Sequence, residues 1–381
     1  MVIYLLSFLI SCLLMYFAEK LNRASAILTS LFIFLSILIP SVLAGARALT
    51  IGTDVITYVS PMYNAASSAT SFFSFQNIPI LNGIILIPIS SFEVGFTSYI
   101  YIITKVFGNL FFSLFFIQFI CIGLIILGLW SLRGKFPVWL GLSIYYLSLF
   151  NPSLNLVRQS IAIAIIIFGF KYLIQNNWVK YVIVVICACL FHKTAIVGLI
   201  ILLLFYCFLE KKNGKKFFNQ NEKLMIVTIL VGLIVLVPFT RNIALKIIGL
   251  SSYIQGYLSG NESFAINQLI LRLPILLFIL IQWKQVKNSQ LKYFFLSILI
   301  CDVFTSQLAS MSDFASRISL YFSAYYIFIV PYFINDENKI RRTILTIFVI
   351  SYFLSYWYYS FVIMNYNQTV PYLFSTNLNL K

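Results

Sequence analysis

Charge in this chain is confined to short clusters, and the stretches between them are apolar and long enough to cross a bilayer, recurring from residue 2 to about residue 361. Crossing ~30 Å of hydrocarbon takes roughly 20 helical residues. With 61% hydrophobic and 9% charged residues over 381 positions, the chain cannot bury its apolar surface as a water-soluble globule. It reads as an all-α integral membrane protein: lipid-exposed backbone must satisfy its own hydrogen bonds, and no ten-residue alternating pattern suggests a barrel. The first apolar stretch, residues 2–17, has no convincing small-residue cleavage site and reads as an anchor. Cys12, Cys121, Cys187, Cys189, Cys207 and Cys301 all fall in apolar segments, where they behave as small hydrophobes. No disulfide, metal site or cofactor is expected, and with no soluble domain, heptad repeat or low-complexity tract, no nucleic-acid partner either.

Orientation follows from the cations. The loops 19–23, 133–135, 171–180, 210–223, 284–292 and 339–342 hold about two thirds of the 26 Lys and Arg residues, which marks them as cytoplasmic. Keeping all six on one side calls for an even number of crossings between each pair. That gives about twelve spans, within a range of ten to fourteen, with both termini outside. The whole chain, 1–381, is then a single polytopic membrane domain with outer loop regions at 45–108 and 240–267. Within the first, Pro79, Gly83, Pro88 and Gly95 interrupt two apolar pieces over 78–107, which suggests re-entrant or membrane-surface helices.

On this topology Arg47, Arg158, Arg241, Arg272 and Arg317 lie toward the outer face, from which the positive-inside tendency normally removes cations. Each needs a local reason, and an anionic substrate would supply one. In Arg47 to Tyr58, Gly52 makes a turn between an arginine and Asp54; such a stretch either binds phosphate through guanidinium and backbone amides or folds the loop through an Arg-Asp pair. Glu93 precedes an apolar piece and serves equally well as a helix N-terminal charge. Arg158 sits at the start of an apolar helix, near the positive end of its dipole, and so implies an anion partner. Asp313 and Arg317 are spaced for an intrahelical ion pair, and Arg272 either snorkels or points inward. The aromatic runs near Tyr325 and Trp357 are mostly interfacial belt.

The segment 181–209 is uncharged apart from His192 and Lys193 at its middle. As one helix it would be ~43 Å long and bury a cation near the bilayer centre; as a hairpin turning at His192 each arm is only ~21 Å, so the turn sits in a recess. His192, the one histidine of the chain, is there either a helix cap or a base sheltered from bulk water.

Arg47 with Gly52-Thr53-Asp54 and Tyr58, Glu93-x-Gly95-Phe96, Arg158-Gln159-Ser160-Ile161-Ala162, Ala188-x-x-Phe191-His192-Lys193-Thr194-Ala195 and Arg317-Ile318-x-x-Tyr321-Phe322 form an ordered set. Together they resemble the EpsG family of Wzy-type polymerases, with which bacteria build O-antigen, capsule or exopolysaccharide. Lys193 departs from the family pattern, which favours a small or polar residue there. The resemblance implies a membrane glycosyltransferase similar to the GT-C type, in the bacterial cytoplasmic membrane with its site facing outward. It implies inverting, metal-independent transfer of a growing glycan from undecaprenyl diphosphate to the non-reducing sugar of a lipid-linked repeat unit, alongside a chain-length regulator of the same pathway. His192, with Asp54 or Glu93 as alternatives, would be the base. Arg47, Arg158, Gln159, Arg272, Arg317, Arg241, Lys193, Tyr58 and Tyr321 would bind the substrate and its diphosphate. A flippase for the same lipid and a membrane acyltransferase are the rival readings; a flippase should show related halves and charges open to both sides, and neither is seen.

Overall fold

The computed structural model describes residues 1–82, 85–208, 265–286, 290–310, 317–334 and 338–375. They are mostly helical. The chain divides into two compact units, Met1–Ala195 with Thr343–Lys381, and Ile196–Arg342. Among the described residues six helices are long and apolar enough to cross a membrane: Val2–Leu21, Ala26–Gly45, Leu110–Trp130, Val157–Ile174, Leu291–Ala309 and Lys339–Ile363. Five shorter apolar helices accompany them.

In the first unit, α1 (Val2–Leu21) and α2 (Ala26–Gly45) form a helical hairpin, and α2 packs in turn on α6 (Leu110–Trp130). Next, α6 packs on α9 (Val157–Ile174), and α9 on α10 (Trp178–Cys189). Polar caps punctuate the apolar sequence: Ser25 Oγ accepts from Leu28 N at 3.2 Å and Asn109 Oδ1 from Phe111 N at 2.8 Å, starting α2 and α6. The Glu19 carboxylate, at the far end of α1, accepts from Val138 N and Trp139 N at 2.8 and 3.0 Å, in the first turn of α7 (Val138–Tyr145). Residues 19–23 and the start of α7, just after 133–135, therefore lie at one end of the unit. Toward the other end of α1, ~22 Å from Glu19 by helical rise, Tyr4 Oη donates to Thr369 O at 2.8 Å. Asn151, in α8 (Asn151–Asn155), joins the same cluster, accepting from Trp357 Nε1 at 2.7 Å and donating to Thr369 Oγ1 at 2.8 Å.

The region between α2 and α6 holds α3 (Ser60–Ser68), α4 (Phe72–Asn77) and α5 (Val94–Phe107). Where the sequence suggested re-entrant or surface helices within 78–107, β1 (Pro79–Asn82) and β2 (Ile85–Pro88) instead pair antiparallel, Pro79 with Pro88. The composition of this pair explains the correction: the apolar residues are largely isoleucine, prolines sit only at the two strand ends, and Gly83 lies between the strands in sequence. The long apolar stretch 181–209 is broken as its length demands. The first arm, α10, ends at Cys189, Lys193–Val197 form a 3-10 turn, and α11 (Gly198–Phe208) begins the second unit.

The second unit also contains α12 (Ile266–Gln282), α13 (Gln290–Ser306), α14 (Ser319–Ser323) and α15 (Tyr326–Ile334). Buried aromatics fill it, with the Tyr325 ring 6.0 Å from Phe294 and 5.8 Å from Phe328. The Lys292 ammonium, buried, donates to the carbonyls of Trp283 and Val286 just beyond α12, where a cation answers the negative helix end. Arg241, Lys246, Glu262 and Asp313 lie outside the described residues.

Candidate functional site

Three segments far apart in sequence converge at the Thr369 end of the first unit. The convergence starts at Gly52, whose φ of +84° is open to glycine and strained for other residues; a Cβ there would lie 2.5 Å from Leu154 O. That close approach brings Thr53 and Asp54 against the chain entering α9. Thr53 Oγ1 and Asp54 N donate to Asn155 Oδ1 at 2.9 and 3.2 Å, and Asn155 Nδ2 donates to Asn367 Oδ1 at 3.2 Å. Asp54 Oδ2 accepts from Val157 N at 3.2 Å, a carboxylate on the first turn of α9, and from the Tyr58 hydroxyl. Burial, with the Asp54 charge beside it, holds the Tyr58 phenol well above its ordinary pKa, so it remains a donor.

Arg158, one residue into α9, meets the anion that its position implied: its Nη1 donates to Glu93 Oε2 at 2.6 Å. The guanidinium carbon lies 4.8 Å from the Tyr58 ring centroid and 4.9 Å from that of Phe92, so two aromatic faces fix its plane. Its Nε is buried with no hydrogen-bond partner in the protein. The second Glu93 oxygen, Oε1, accepts from Lys193 N at 3.3 Å. Two residues on, Gly95 N donates to Leu190 O at 2.9 Å, and a Cβ at Gly95 would lie 2.7 Å from that oxygen. The start of α5 is thus strapped to the turn after α10. That strap brings His192 beside the Arg158–Glu93 pair. Burial tends to raise the Glu93 pKa, but the Arg158 charge and hydrogen bond, with His192 adding, hold it below its ordinary 4.5. Glu93 is therefore ionised at neutral pH.

His192 is half-buried, and its Nδ1 lies 2.6 Å from Thr194 Oγ1, which orients the ring. Lys193 contributes its backbone amide while its side chain is exposed, and Gln159 is buried within α9. Arg47 is 2% exposed and does not pair with Asp54 as the loop-folding alternative proposed; its Nη1 and Nη2 donate to Ala44 O at 2.8 Å and Leu154 O at 3.1 Å. Of the residues singled out in sequence, the structure brings together Asp54, Tyr58, Glu93, Arg158, His192 and Lys193, with Arg47 bonded to the same 154–157 segment.

Arg272, Arg317 and Tyr321 belong to the second unit. There Arg272 points inward: Nε and Nη2 meet Asp302 Oδ2 and Oδ1 at 2.8 and 3.3 Å, Nη1 meets Gln268 Oε1 at 2.7 Å, and Nη2 also meets Ser319 Oγ at 3.3 Å. The Tyr326 hydroxyl donates to the same fully buried Asp302 carboxylate. Tyr321 is buried and Arg317 half-buried. Asp302 escaped the sequence reading although a lone carboxylate within an apolar span is a recognisable signal. Among the described residues no group of three His, Cys, Asp or Glu is placed to hold a metal ion.

The sequence profile of the EpsG family, a family of Wzy-type polysaccharide polymerase-like proteins, matches residues 30–374, which include every site segment above. No curated protein and no solved structure gives a match. A match over nearly the whole length places this chain in the EpsG family.

Proposed function

We propose that this protein polymerises a surface polysaccharide at the outer face of the bacterial cytoplasmic membrane. It moves the growing glycan from undecaprenyl diphosphate to the non-reducing sugar of a lipid-linked repeat unit. The observation that carries the reading is the half-buried His192 beside a guanidinium held by Glu93 and two aromatic rings. In the proposed step the acceptor oxygen bonds to the anomeric carbon as the bond from that carbon to the diphosphate oxygen breaks. The electron pair leaves with the diphosphate, the hydroxyl proton passes to His192, and inversion follows from displacement on the opposite face. Arg158 meets the charge that develops on the leaving diphosphate, needing no metal for this.

The two carboxylates take supporting roles, because both are already engaged: Glu93 by Arg158 and Lys193 N, Asp54 by Tyr58 and Val157 N. Arg272 ranks behind Arg158 as a diphosphate ligand, since Asp302, Gln268 and Ser319 engage all three of its nitrogens, whereas Arg158 keeps its Nε without a partner in the protein. Arg241, Arg317, Gln159 and Tyr321 keep substrate-binding roles from the family resemblance alone. The span number of about twelve, the likeness to GT-C enzymes, the single-domain organisation with outer regions 45–108 and 240–267, and a chain-length regulator as partner belong to the same proposal.

The test is to incubate purified protein in liposomes with a defined undecaprenyl-diphosphate-linked repeat unit and, separately, with an acyl donor. Ladders of extended glycan are expected from the wild type, and Arg158→Lys, which keeps the charge but loses the fork and the stacking, should lose roughly 100-fold or more. Lipid movement or acyl transfer without extension would transfer the assignment to a flippase or an acyltransferase.

A further inference from the structure

Arg47 combines burial with a charge that no carboxylate balances. Its hydrogen bonds run to two carbonyls, its Nε has no partner, and the ionisable groups acting on it are the phenols of Tyr4 and Tyr372. Burial pulls its pKa down, to about 10, which leaves it charged at neutral pH. A buried cation in that state is costly unless an anion joins it.

Arg47 also lines a cavity of about 750 Å³ within the first unit, a size typical of ligand sites. The walls come from the end of α2, from α3, from the N-terminus of α6 and from residues 373–375, which run beside residues 46–48 through Ala48 N to Leu373 O at 2.8 Å and Ser375 N to Ala46 O at 2.9 Å. Ser60, Asn64 and Asn109 supply polar groups, and the first turn of the 21-residue α6 opens on it. Phe111, Leu373 and Phe374 supply an apolar side. Arg47 is the charged residue among those lining it, and none of them belongs to the Arg158, Glu93 and His192 cluster. A buried guanidinium with a spare donor, a helix N-terminus and an apolar flank together suit the phosphate head of an amphiphile.

We infer that this cavity is a second anion site, holding the diphosphate head of a lipid distinct from the one whose glycan is transferred beside Arg158. The identity of that lipid rests on the polymerase reading: a chain-extending step takes two lipid diphosphates at once, and only one loses its glycan. The second keeps its diphosphate intact and needs a place for it. Leu154 O, held by Arg47, lies in the same segment as Val157 N, held by Asp54, so both sites are anchored on one stretch of chain.

Native mass spectrometry of the full chain in detergent, with undecaprenyl diphosphate as probe and inorganic pyrophosphate as a second arm, tests this. The wild type should bind two lipids. Arg47→Gln should weaken one of them at least 10-fold and Arg158→Gln the other. Because Arg47→Gln also releases two backbone carbonyls, Asn64→Trp, which narrows the cavity at an exposed wall and leaves Arg47 in place, should reproduce its loss. One lipid bound by the wild type, lost in Arg158→Gln and untouched by Asn64→Trp, overturns the inference, as does pyrophosphate binding the Arg47 site as tightly as the lipid. Two lipids bound as described by a protein that extends no glycan would refute the polymerase reading and leave the second site standing.

Discussion

Glu93 holds Arg158 with one oxygen and the Lys193 amide with the other, so its ionisation state controls both contacts. Its folded pKa is depressed below 4.5, so the pair stabilises the protein above about that pH, and the contribution fades as pH falls through the lower folded value. A thermal scan should show a melting temperature steady from neutral pH down to about 4.5 and an acid loss that is smaller in Glu93→Gln; identical acid profiles would mean that the pair contributes nothing. In the second unit Asp302 is fully buried against Arg272. Asp302→Asn should cost on the order of 3–5 kcal/mol, and a paired Arg272→Leu, Asp302→Leu variant much less, because only the single change strands a buried charge. Equal losses in chemical unfolding would contradict that. The arginines were visible in the sequence because cations on an outer face are unexpected, while Asp302 was overlooked because sorting cations by side takes no account of a lone acid.

At the scale of elements, the break in 181–209 was legible, since helix length against bilayer thickness allows no single span. The strap that brings the His192 turn to α5 was not, because it depends on Gly95 lying against Leu190 O, a contact between segments about a hundred residues apart. Gly95→Ala tests its importance: overpacking of this kind typically costs 1–3 kcal/mol. Glycan extension should fall much further than the melting temperature, because Glu93 is displaced from Lys193 N. A loss confined to stability would show that the strap only folds the loop. The strand pair Pro79–Asn82 and Ile85–Pro88 was legible too, through its isoleucines and terminal prolines, but apolar length drew the reading toward helix.

For the molecule as a whole, membrane class followed from composition, and the six long apolar helices of the described residues agree with it. The Glu19 bonds to Val138 N and Trp139 N put residues 19–23 and the chain just after 133–135 at one end of the first unit, with the His192 turn toward the opposite end, and which of the two ends faces the cytoplasm is a matter for labelling. In a background lacking the native cysteines, exposed Thr53→Cys and Asn365→Cys should react with an impermeant thiol reagent from outside the cell. Asn22→Cys should react only after permeabilisation, and the reverse pattern would invert the topology. The most direct measurement is chain extension of a lipid-linked repeat unit by purified His192→Gln, which keeps a hydrogen-bonding side chain and loses the base. A fall of ~100-fold to 10,000-fold, with the protein folded and still binding lipid diphosphate, is the predicted result. Long polymer in wild-type amounts would contradict the assignment and reduce His192 to a structural cap.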